Sequence, residues 1–216
     1  MVVIVTALFT VILYYNIDDT LQGVQNRNGA LFFITLNIAL LAIQSIILIF
    51  PDERPVFLRE VNNNMYDVGP YFVAKVTSEL PAAFFCPILY GVIVYFAINL
   101  STVFAYKFPL FLAILVNIYI CAGSYALIIS SLFSDKQLAV TLTPILIVPF
   151  MLFAGYFVNQ DNIPVFLIEF MYISFFKYGF QALMLNEYQD LFLECMGLPG
   201  TSPQRCDPLG NYNSPQ

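Results

Sequence analysis

Few residues of this 216-residue chain could do chemistry on a substrate. The chain contains no histidine, which rules out imidazole catalysis and histidine-based metal sites. It also has no phosphate-binding loop of the form GxxxxGK[ST]. Its long apolar runs contain no paired aspartates and no Ser/Lys pair of the kind that intramembrane enzymes need. We therefore expect no catalytic residue and no metal site in this chain.

Two amides stand out because they recur at helical spacing within an apolar run. Phe33, Asn37, Leu40 and Gln44 are separated by four, three and four positions, which places them on one face of a helix. A polar amide surrounded by lipid must face protein or water. Hydrogen bonding between helices and contact with a ligand in a cavity both satisfy this condition.

A charged segment, FPDERPVFLREVNNNMYDVGPYFVAK, occupies residues 50–75 between two apolar runs. Its mixed charges surround Phe57. Such a pattern suits a short helix that lies in a polar groove of a partner with one aromatic anchor buried. The alternative is a solvated loop beside the membrane whose charges only fix the topology.

Apolar helices must position these residues, since 60% of the chain is hydrophobic and only 10% is charged. Charge-free runs cover residues 1–17, 28–51, 80–106, 108–134 and 137–160. About 20 helical residues cross a bilayer core, so the last four runs are long enough, whereas the first predicts a truncated span. The predicted fold is an all-α membrane protein, a polytopic bundle of about five spans.

Alternation of the five runs predicts which loops share a side of the membrane. The loops at 16–29, 99–107 and 159–216 fall on one side, and those at 51–70 and 133–136 on the other. The second side carries Arg54, Arg59 and Lys136, a modest positive-inside bias that predicts a cytosolic location. Asn99, on the first side, begins an N-x-[ST] glycosylation sequon, although such short matches also arise by chance.

The segment beyond residue 160 is apolar but interrupted by Glu169 and Lys177. A charge at the bilayer centre costs roughly 2.5 to 3.5 kcal/mol, so short re-entrant helices are favoured over a full span. Cys195 and Cys206 flank a Gly/Pro-rich stretch on the predicted extracellular side, where an intrachain disulfide can form. The alternative is that these cysteines pair with a partner protomer or with other segments.

Four stretches occur in a characteristic order: VQNRNGALFF, FPDERPVFLRE with NMYDVGPYFVAKVTSELP, PFMLFAGYFVN, and IPVFLIEFMYISFFKYGFQALMLNEY. They resemble the transmembrane domain of subfamily G (White-type) ATP-binding cassette exporters, half-transporters that pair to move lipids, sterols or drugs. The resemblance implies that residues 1–158 form helices 1–5 of an ABC-2 type exporter domain, with a cytosolic coupling helix at about 51–66. Residues 159–216 would then form an extracellular loop with re-entrant helices. The family's nucleotide-binding domain and sixth span do not match any part of this chain, which predicts a fragment.

The resemblance also implies roles for individual residues. The substrate pathway would comprise Phe33, Asn37, Leu40, Gln44, Val148 and Met151. Tyr156 and Phe157 would form an extracellular gate, or else an aromatic belt at the membrane interface. The coupling helix would present Glu53, Arg54, Phe57, Arg59 and Glu60. Glu79 would belong to a polar relay or would simply pair with Lys75 one turn earlier.

The function implied is that of a transmembrane subunit of an ATP-driven exporter for lipids, sterols or hydrophobic small molecules. It would work as a homo- or heterodimer in the plasma membrane or an endomembrane. ATP and Mg would bind to the nucleotide-binding domain of the full-length protein. A passive channel or a membrane scaffold is the alternative, although no charged ring or Gly-rich filter sequence favours a channel.

Overall fold

The computed structural model describes residues 1–15, 21–100, 106–133, 135–157, 168–189, 193–195 and 204–206. These residues form seven helices and a small hairpin. The helices are α1 (Val2–Leu13), α2 (Leu21–Asn62), α3 (Val68–Ile98), α4 (Lys107–Leu132), α5 (Lys136–Leu152), α6 (Ile168–Ile173) and α7 (Phe175–Tyr188). The strands β1 (Leu193–Cys195) and β2 (Gln204–Cys206) pair antiparallel.

Three helices, α2, α3 and α4, are long and apolar enough to cross a membrane. Helices α1 and α5 are also apolar but have only 12 and 17 residues. The predicted class of an all-α membrane protein is confirmed, and the hairpin is a minor addition to it.

The core lies where α2 packs along α4, flanked by α3 and α7. Ile34, Ile38 and Ala42 of α2 and Leu115 and Ala122 of α4 are fully buried. The alanines among them allow the two helix backbones to approach closely, which is how helices associate when lipid offers no hydrophobic driving force.

Glycines allow two further close approaches to α4. A Cβ atom at Gly91 of α3 would lie 2.7 Å from Leu112 and 2.8 Å from Leu115. A Cβ atom at Gly179 of α7 would lie 2.7 Å from Ile118. Both helices could therefore not pack as closely on α4 with any larger residue at these positions.

Helix α5 contains Pro144 and Pro149, which leave carbonyl groups without their helical donors. Side chains of neighbouring elements donate to carbonyls in the same helix. The Ser174 hydroxyl donates to the carbonyl of Phe150 at 2.8 Å, and the Tyr125 hydroxyl donates to that of Leu146 at 3.1 Å. The carbonyls that lose their helical donors belong to residues 140 and 145, so these two bonds attach α5 to its neighbours and do not replace the bonds lost at the prolines.

Helices α6 and α7 have 6 and 14 residues, too short for a span, in agreement with the predicted short helices. Glu169 in α6 is exposed. Lys177 in α7 is buried, and its Nζ lies 4.8 Å from the centre of the Tyr172 ring. Stacking on aromatic rings thus accommodates this charge.

Helices α2 and α3 are followed by asparagines in the left-handed conformation. Asn64 follows α2 with φ 55°, and the amide of Met65 donates to the carbonyl of Glu60. Asn99 ends α3 with φ 61°, and the amide of Leu100 donates to the carbonyl of Tyr95. Asparagine tolerates this conformation better than most residues. Asn99, the predicted glycosylation site, is exposed and also terminates a helix.

Candidate functional site

A half-open groove of about 440 Å³ lies between α2 and α5. Four of the six predicted pathway residues line it: Leu40, Gln44, Val148 and Met151. Its other lining residues are Leu36, Ile43, Ile47, Leu48, Val140, Thr143, Pro144 and Ile147. The surface is therefore almost entirely apolar.

Gln44 supplies the groove with an exposed directional group. The hydroxyl of Thr143 donates to the carbonyl of Ala139 at 2.6 Å, so its proton is already used. One amide in an apolar groove orients an amphipathic ligand without demanding a particular shape.

Phe33 and Asn37 lie on the same α2 face but outside the lining of this groove. The ring of Phe33 contacts Phe9 of α1 and Tyr14, the residue after α1, with ring centres 6.3 and 6.0 Å apart. The Asn37 amide donates to the carbonyl of Phe33 within its own helix at 2.9 Å. Their predicted contact with a substrate stays a prediction.

Tyr156 and Phe157, the predicted gate residues, belong to an aromatic cluster. Phe32 stacks on Tyr156 with ring centres 4.8 Å apart and meets Phe157 edge-on at 5.1 Å. Phe180 of α7 contacts Phe32 at 5.9 Å and Tyr156 at 6.1 Å. Gly155, with φ 90°, permits the turn that brings the gate pair to α2.

Phe32 and Phe180 were not among the residues predicted for this cluster. Both are buried, whereas Tyr156 and Phe157 are 39% and 54% exposed. Phe32 and Phe180 therefore form the buried side of the cluster, against which the exposed rings of Tyr156 and Phe157 pack. In the sequence Phe32 is marked only by its position next to Phe33. The helical spacing with Asn37, Leu40 and Gln44 includes Phe33 and not Phe32.

The segment predicted as a coupling helix at about 51–66 is not a separate helix. Residues 51–62 form the last three turns of α2, which runs through Pro51 and Pro55 without a break. Interior prolines usually break or kink a helix, at a cost of about 3 kcal/mol. This part of α2 also contacts neighbouring elements.

Those contacts tie α2 to α3 and to α5. Glu53 accepts from Lys75 of α3 at 2.6 Å. Asp52 pairs with Lys136 of α5. Further along, the ring of Phe57 stacks on Tyr71 at 4.1 Å.

The remaining predicted coupling residues lie around the same surface. Glu60 accepts a hydrogen bond from the hydroxyl of Tyr66 at 2.5 Å, and this bond raises the pKa of Tyr66 to about 12. Arg54 is half-buried, and Arg59 is exposed. We call the surface formed by Asp52, Glu53, Arg54, Phe57, Arg59 and Glu60 the coupling surface. It is charged, and the contacts of Asp52, Glu53, Phe57 and Glu60 within the chain hold it in place.

Glu79 lies one turn after Lys75, and the two side chains pair at 3.4 Å. The expected ion pair is therefore confirmed. Because the bond from Lys75 to Glu53 is shorter, at 2.6 Å, Lys75 primarily holds α2, and Glu79 is held more loosely.

A buried polar cluster at the other end of the bundle was not predicted. Arg27 of α2 and Glu187 of α7 pair at 3.2 Å, with side chains only 5% and 1% exposed. Lys107 of α4, also buried, donates to the backbone carbonyls of Glu187 and Gln189. Asn186 donates to the carbonyl of Lys107 at 3.2 Å.

The same end of α7 is bonded to α2 a second time. The hydroxyl of Tyr188 bonds with the amide oxygen of Asn28 and the carbonyl of Val24. Together these bonds attach α7 to the first turns of α2 and α4. The junction places Arg27, Lys107 and Glu187 at one end of the bundle, and the predicted membrane side of the loops at 16–29, 99–107 and after 159 stays a prediction.

The two cysteines predicted to pair lie in the hairpin. Cys195 is opposite Gln204, and Cys206 is opposite Leu193, so Cys206 is two positions from the direct partner of Cys195. The strands thus bring the two segments side by side, and the disulfide itself stays a prediction.

The sequence of this chain is similar to membrane transporters of known families. The family model of the ABC-2 type transporter matches residues 1–188. ABC transporter G family member 1 of Dictyostelium discoideum is 30% identical over 190 residues, covering 85% of this chain and 24% of that protein. Protein white of Drosophila melanogaster is 33% identical over 172 residues, covering 80% and 25%.

A third relative, the ABC transporter ATP-binding protein/permease wht-1 of Caenorhabditis elegans, is 33% identical over 190 residues. The match covers 88% of this chain and 28% of that protein. The chain therefore spans about a quarter of the length of the curated relatives it matches.

Proposed function

Because this chain belongs to the ABC-2 type transporter family, we propose that it forms the membrane pathway of an ATP-driven exporter for lipids, sterols or other hydrophobic small molecules. The observation that carries the proposal is the continuity of α2. One helix contributes Leu40 and Gln44 to the apolar groove and Glu53 to the charged surface. Movement at the charged end is thereby communicated to the groove.

The groove supports a hydrophobic or amphipathic cargo. Its walls are aliphatic apart from Gln44 and Thr143, so binding would depend on burial of apolar surface with few directional bonds. Such a site selects by size and polarity rather than by detailed shape. Phe33 and Asn37, further along the same face of α2, would contact the cargo on its way to the gate.

The coupling surface would receive a nucleotide-binding domain. Its mixed charges and its aromatic contact between Phe57 and Tyr71 suit docking to a protein partner. ATP and Mg would bind in that domain. The name of the wht-1 relative, an ATP-binding protein and permease, is consistent with this arrangement.

The aromatic cluster of Phe32, Tyr156, Phe157 and Phe180 would close the exit of the pathway. Two protomers would face each other across the half-open α2–α5 groove, so that a homo- or heterodimer encloses the cargo. The helices would cross the membrane several times, in the plasma membrane or an endomembrane. The buried junction of α2, α4 and α7 would then lie on the extracellular or luminal side.

Transport by the full-length protein in proteoliposomes tests the proposal. We expect ATP-dependent movement of a fluorescent phospholipid or sterol that stops when ATP is replaced by a non-hydrolysable analogue. Flux that continues at the same rate without ATP would instead indicate a passive channel. A protein that hydrolyses ATP at a rate insensitive to every lipid offered, and moves none of them, would also contradict the proposal.

A further inference from the structure

Tyr14, the residue after α1, reaches the same place on α2 as the gate residue Tyr156. A Cβ atom at Gly29 of α2 would lie 3.4 Å from the hydroxyl oxygen of Tyr14 and 3.4 Å from that of Tyr156. Gly29 itself is buried. The two hydroxyl groups therefore converge on a position of α2 that has no side chain.

Two rings of α2 support these tyrosines. Phe32 and Phe33 follow Gly29 by three and four positions, so they lie one turn further along the same side of the helix. Phe32 stacks on Tyr156 with ring centres 4.8 Å apart, and Phe33 contacts Tyr14 at 6.0 Å. Each tyrosine thus packs on its own phenylalanine, and both hydroxyl groups reach the space over Gly29.

Helix α1 is fixed one turn before Tyr14. The hydroxyl groups of Thr10 and of Tyr90 in α3 form a hydrogen bond of 2.9 Å, and both residues are fully buried. The amide of Tyr14 donates to the carbonyl of Thr10 at 3.1 Å. The backbone at Tyr14 is therefore attached to α3, and the Tyr14 ring is half-buried, whereas the next residue, Tyr15, is 75% exposed.

The hydroxyl groups of Tyr14 and Tyr156 interact electrostatically. Within the part of the chain that the structure describes, neither of them takes part in a hydrogen bond. A hydroxyl group among apolar rings without a partner forfeits the hydrogen bonds that it makes in water. Because a phenol both donates and accepts, a neutral polar group between the two would satisfy both, whereas an ion would have to lose its hydration there.

We propose that Tyr14 is a further gate residue, and that the hydroxyl groups of Tyr14 and Tyr156 bind the neutral polar end of an amphipathic cargo as it passes the exit. This inference rests on the proposed function and adds a selection step to it. The α2–α5 groove receives the apolar body of the cargo, and the tyrosine pair then favours molecules that carry a group such as a hydroxyl. Since cargo meets the pair after it has bound, the pair acts on kcat more than on KM.

Transport of two matched cargoes by the full-length protein in proteoliposomes tests the inference. One is a fluorescent long-chain alcohol, and the other is the same molecule with hydrogen in place of the hydroxyl group. We expect the ATP-dependent kcat of the alcohol to be about fivefold higher at similar KM, as for one hydrogen bond between neutral groups.

Conservative variants assign this preference to the two tyrosines. Tyr14→Phe and Tyr156→Phe each remove one hydroxyl group and keep the ring, so the packing on Phe33 and Phe32 is retained. Each should bring the ratio of the two kcat values close to one, and the double variant should add little, since both hydroxyl groups hold the same cargo group. Tyr15→Phe, at the exposed neighbour, is the matched control and should keep the wild-type ratio.

Photo-oxidation of the protein tests the geometry without transport. We expect peptide mapping to recover a dityrosine link between Tyr14 and Tyr156, because the hydroxyl oxygen and the Cε1 carbon of Tyr14 and the hydroxyl oxygen of Tyr156 all lie within 3.7 Å of one point. Tyr14→Phe should abolish this link. Its absence from the wild-type protein would overturn the inference.

The outcomes separate this inference from the proposed function. Equal wild-type kcat values for the two cargoes, or an unchanged ratio in both phenylalanine variants, would refute the tyrosine pair while ATP-driven export stands. No ATP-dependent movement of the alcohol by the wild type would refute both.

Discussion

The ammonium group of Lys75 in α3 lies 2.6 Å from the carboxylate of Glu53 in α2. The lysine side chain is 14% exposed and the glutamate side chain 41%. The pair connects the two helices where α2 presents its charged surface. It lies at the opposite end of the bundle from the buried Arg27–Glu187 pair.

Removing this link should uncouple ATP hydrolysis from transport in the full-length protein. We expect Glu53→Gln and Lys75→Gln to retain ATP hydrolysis and to lose most transport, because α2 can then move without α3. The double variant should be no worse than Lys75→Gln alone, since that change already removes the contact with Glu53 as well as the one with Glu79. Transport per ATP hydrolysed is the quantity to measure, and additive losses would mean that the two residues act separately.

Arg59→Ala and Glu60→Ala should also uncouple hydrolysis from transport while leaving surface abundance near that of the wild type. Arg59 is exposed and available to a partner, whereas Glu60 orders Tyr66. Val56→Ala, at another exposed position of the same helix segment, serves as the control. Loss of folded protein at the cell surface instead of lost coupling would contradict this prediction.

Tyr66 should ionise at an unusually high pH, with a pKa of about 12. Its hydrogen bond to Glu60 favours the protonated phenol. The bond is therefore fully present below pH about 10, the ordinary tyrosine value, and is lost only as the pH rises through about 12. The difference in tyrosinate absorbance between the wild type and Tyr66→Phe isolates this group, and a midpoint near the ordinary value would show that the bond does not form.

Replacing Phe32 with alanine should loosen the aromatic cluster. Large-to-alanine changes at buried aromatics cost about 3 to 5 kcal/mol, and here the stacked support of Tyr156 is lost. If the cluster is a gate, the variant should leak cargo without ATP. Phe111→Ala, at a buried ring of α4 that packs on Tyr95 and lies outside the proposed pathway, is the matched control and should not leak. Equal leakage from both variants would argue against a specific role for Phe32.

Breaking the buried pair of Arg27 and Glu187 should destabilise the whole chain. Either Arg27→Met or Glu187→Gln disrupts a charge pairing within the buried cluster, which costs about 3 to 5 kcal/mol. Lys136→Met, which breaks the exposed pair with Asp52, should cost less than about 1 kcal/mol. Thermal unfolding in detergent gives the comparison, and similar losses for the two pairs would refute it.

Peptide mapping under non-reducing conditions should recover one fragment that links Cys195 to Cys206. Closing a loop of about 15 residues is worth roughly 3 kcal/mol, and somewhat less for a shorter one. The hairpin already holds the two segments together. Finding either cysteine as a thiol, or linked to another peptide or to a second protomer, would contradict the intrachain bridge.

Part of the lining of the α2–α5 groove could be predicted from helical spacing and from the family resemblance. Leu40 and Gln44 recur at helical intervals, and the resemblance added Val148 and Met151 from α5. Charge-free runs likewise marked α2, α3 and α4, since length and composition suffice to predict a membrane helix.

Contacts between distant segments could not be predicted in this way. Arg27 and Glu187 flank different apolar runs, and nothing local indicates that they meet in a buried pair. Phe180 reaches Phe32 only because Gly179 lets α7 lie close to α4. The continuity of α2 was also missed, because its prolines favour a break and its contacts with Lys75, Lys136 and Tyr71 come from other helices.

The unbroken α2 has a mechanical consequence. With 42 residues at about 1.5 Å each, it is a rod about 63 Å long. Under the proposed function, a continuous helix would carry a displacement along its axis from Glu53 to Gln44 with little loss. Sideways bending would differ, because Pro51 and Pro55 each remove one backbone hydrogen bond within about one turn of the helix. Axial movement at the charged end would then reach the groove, whereas sideways movement would be absorbed at the prolines.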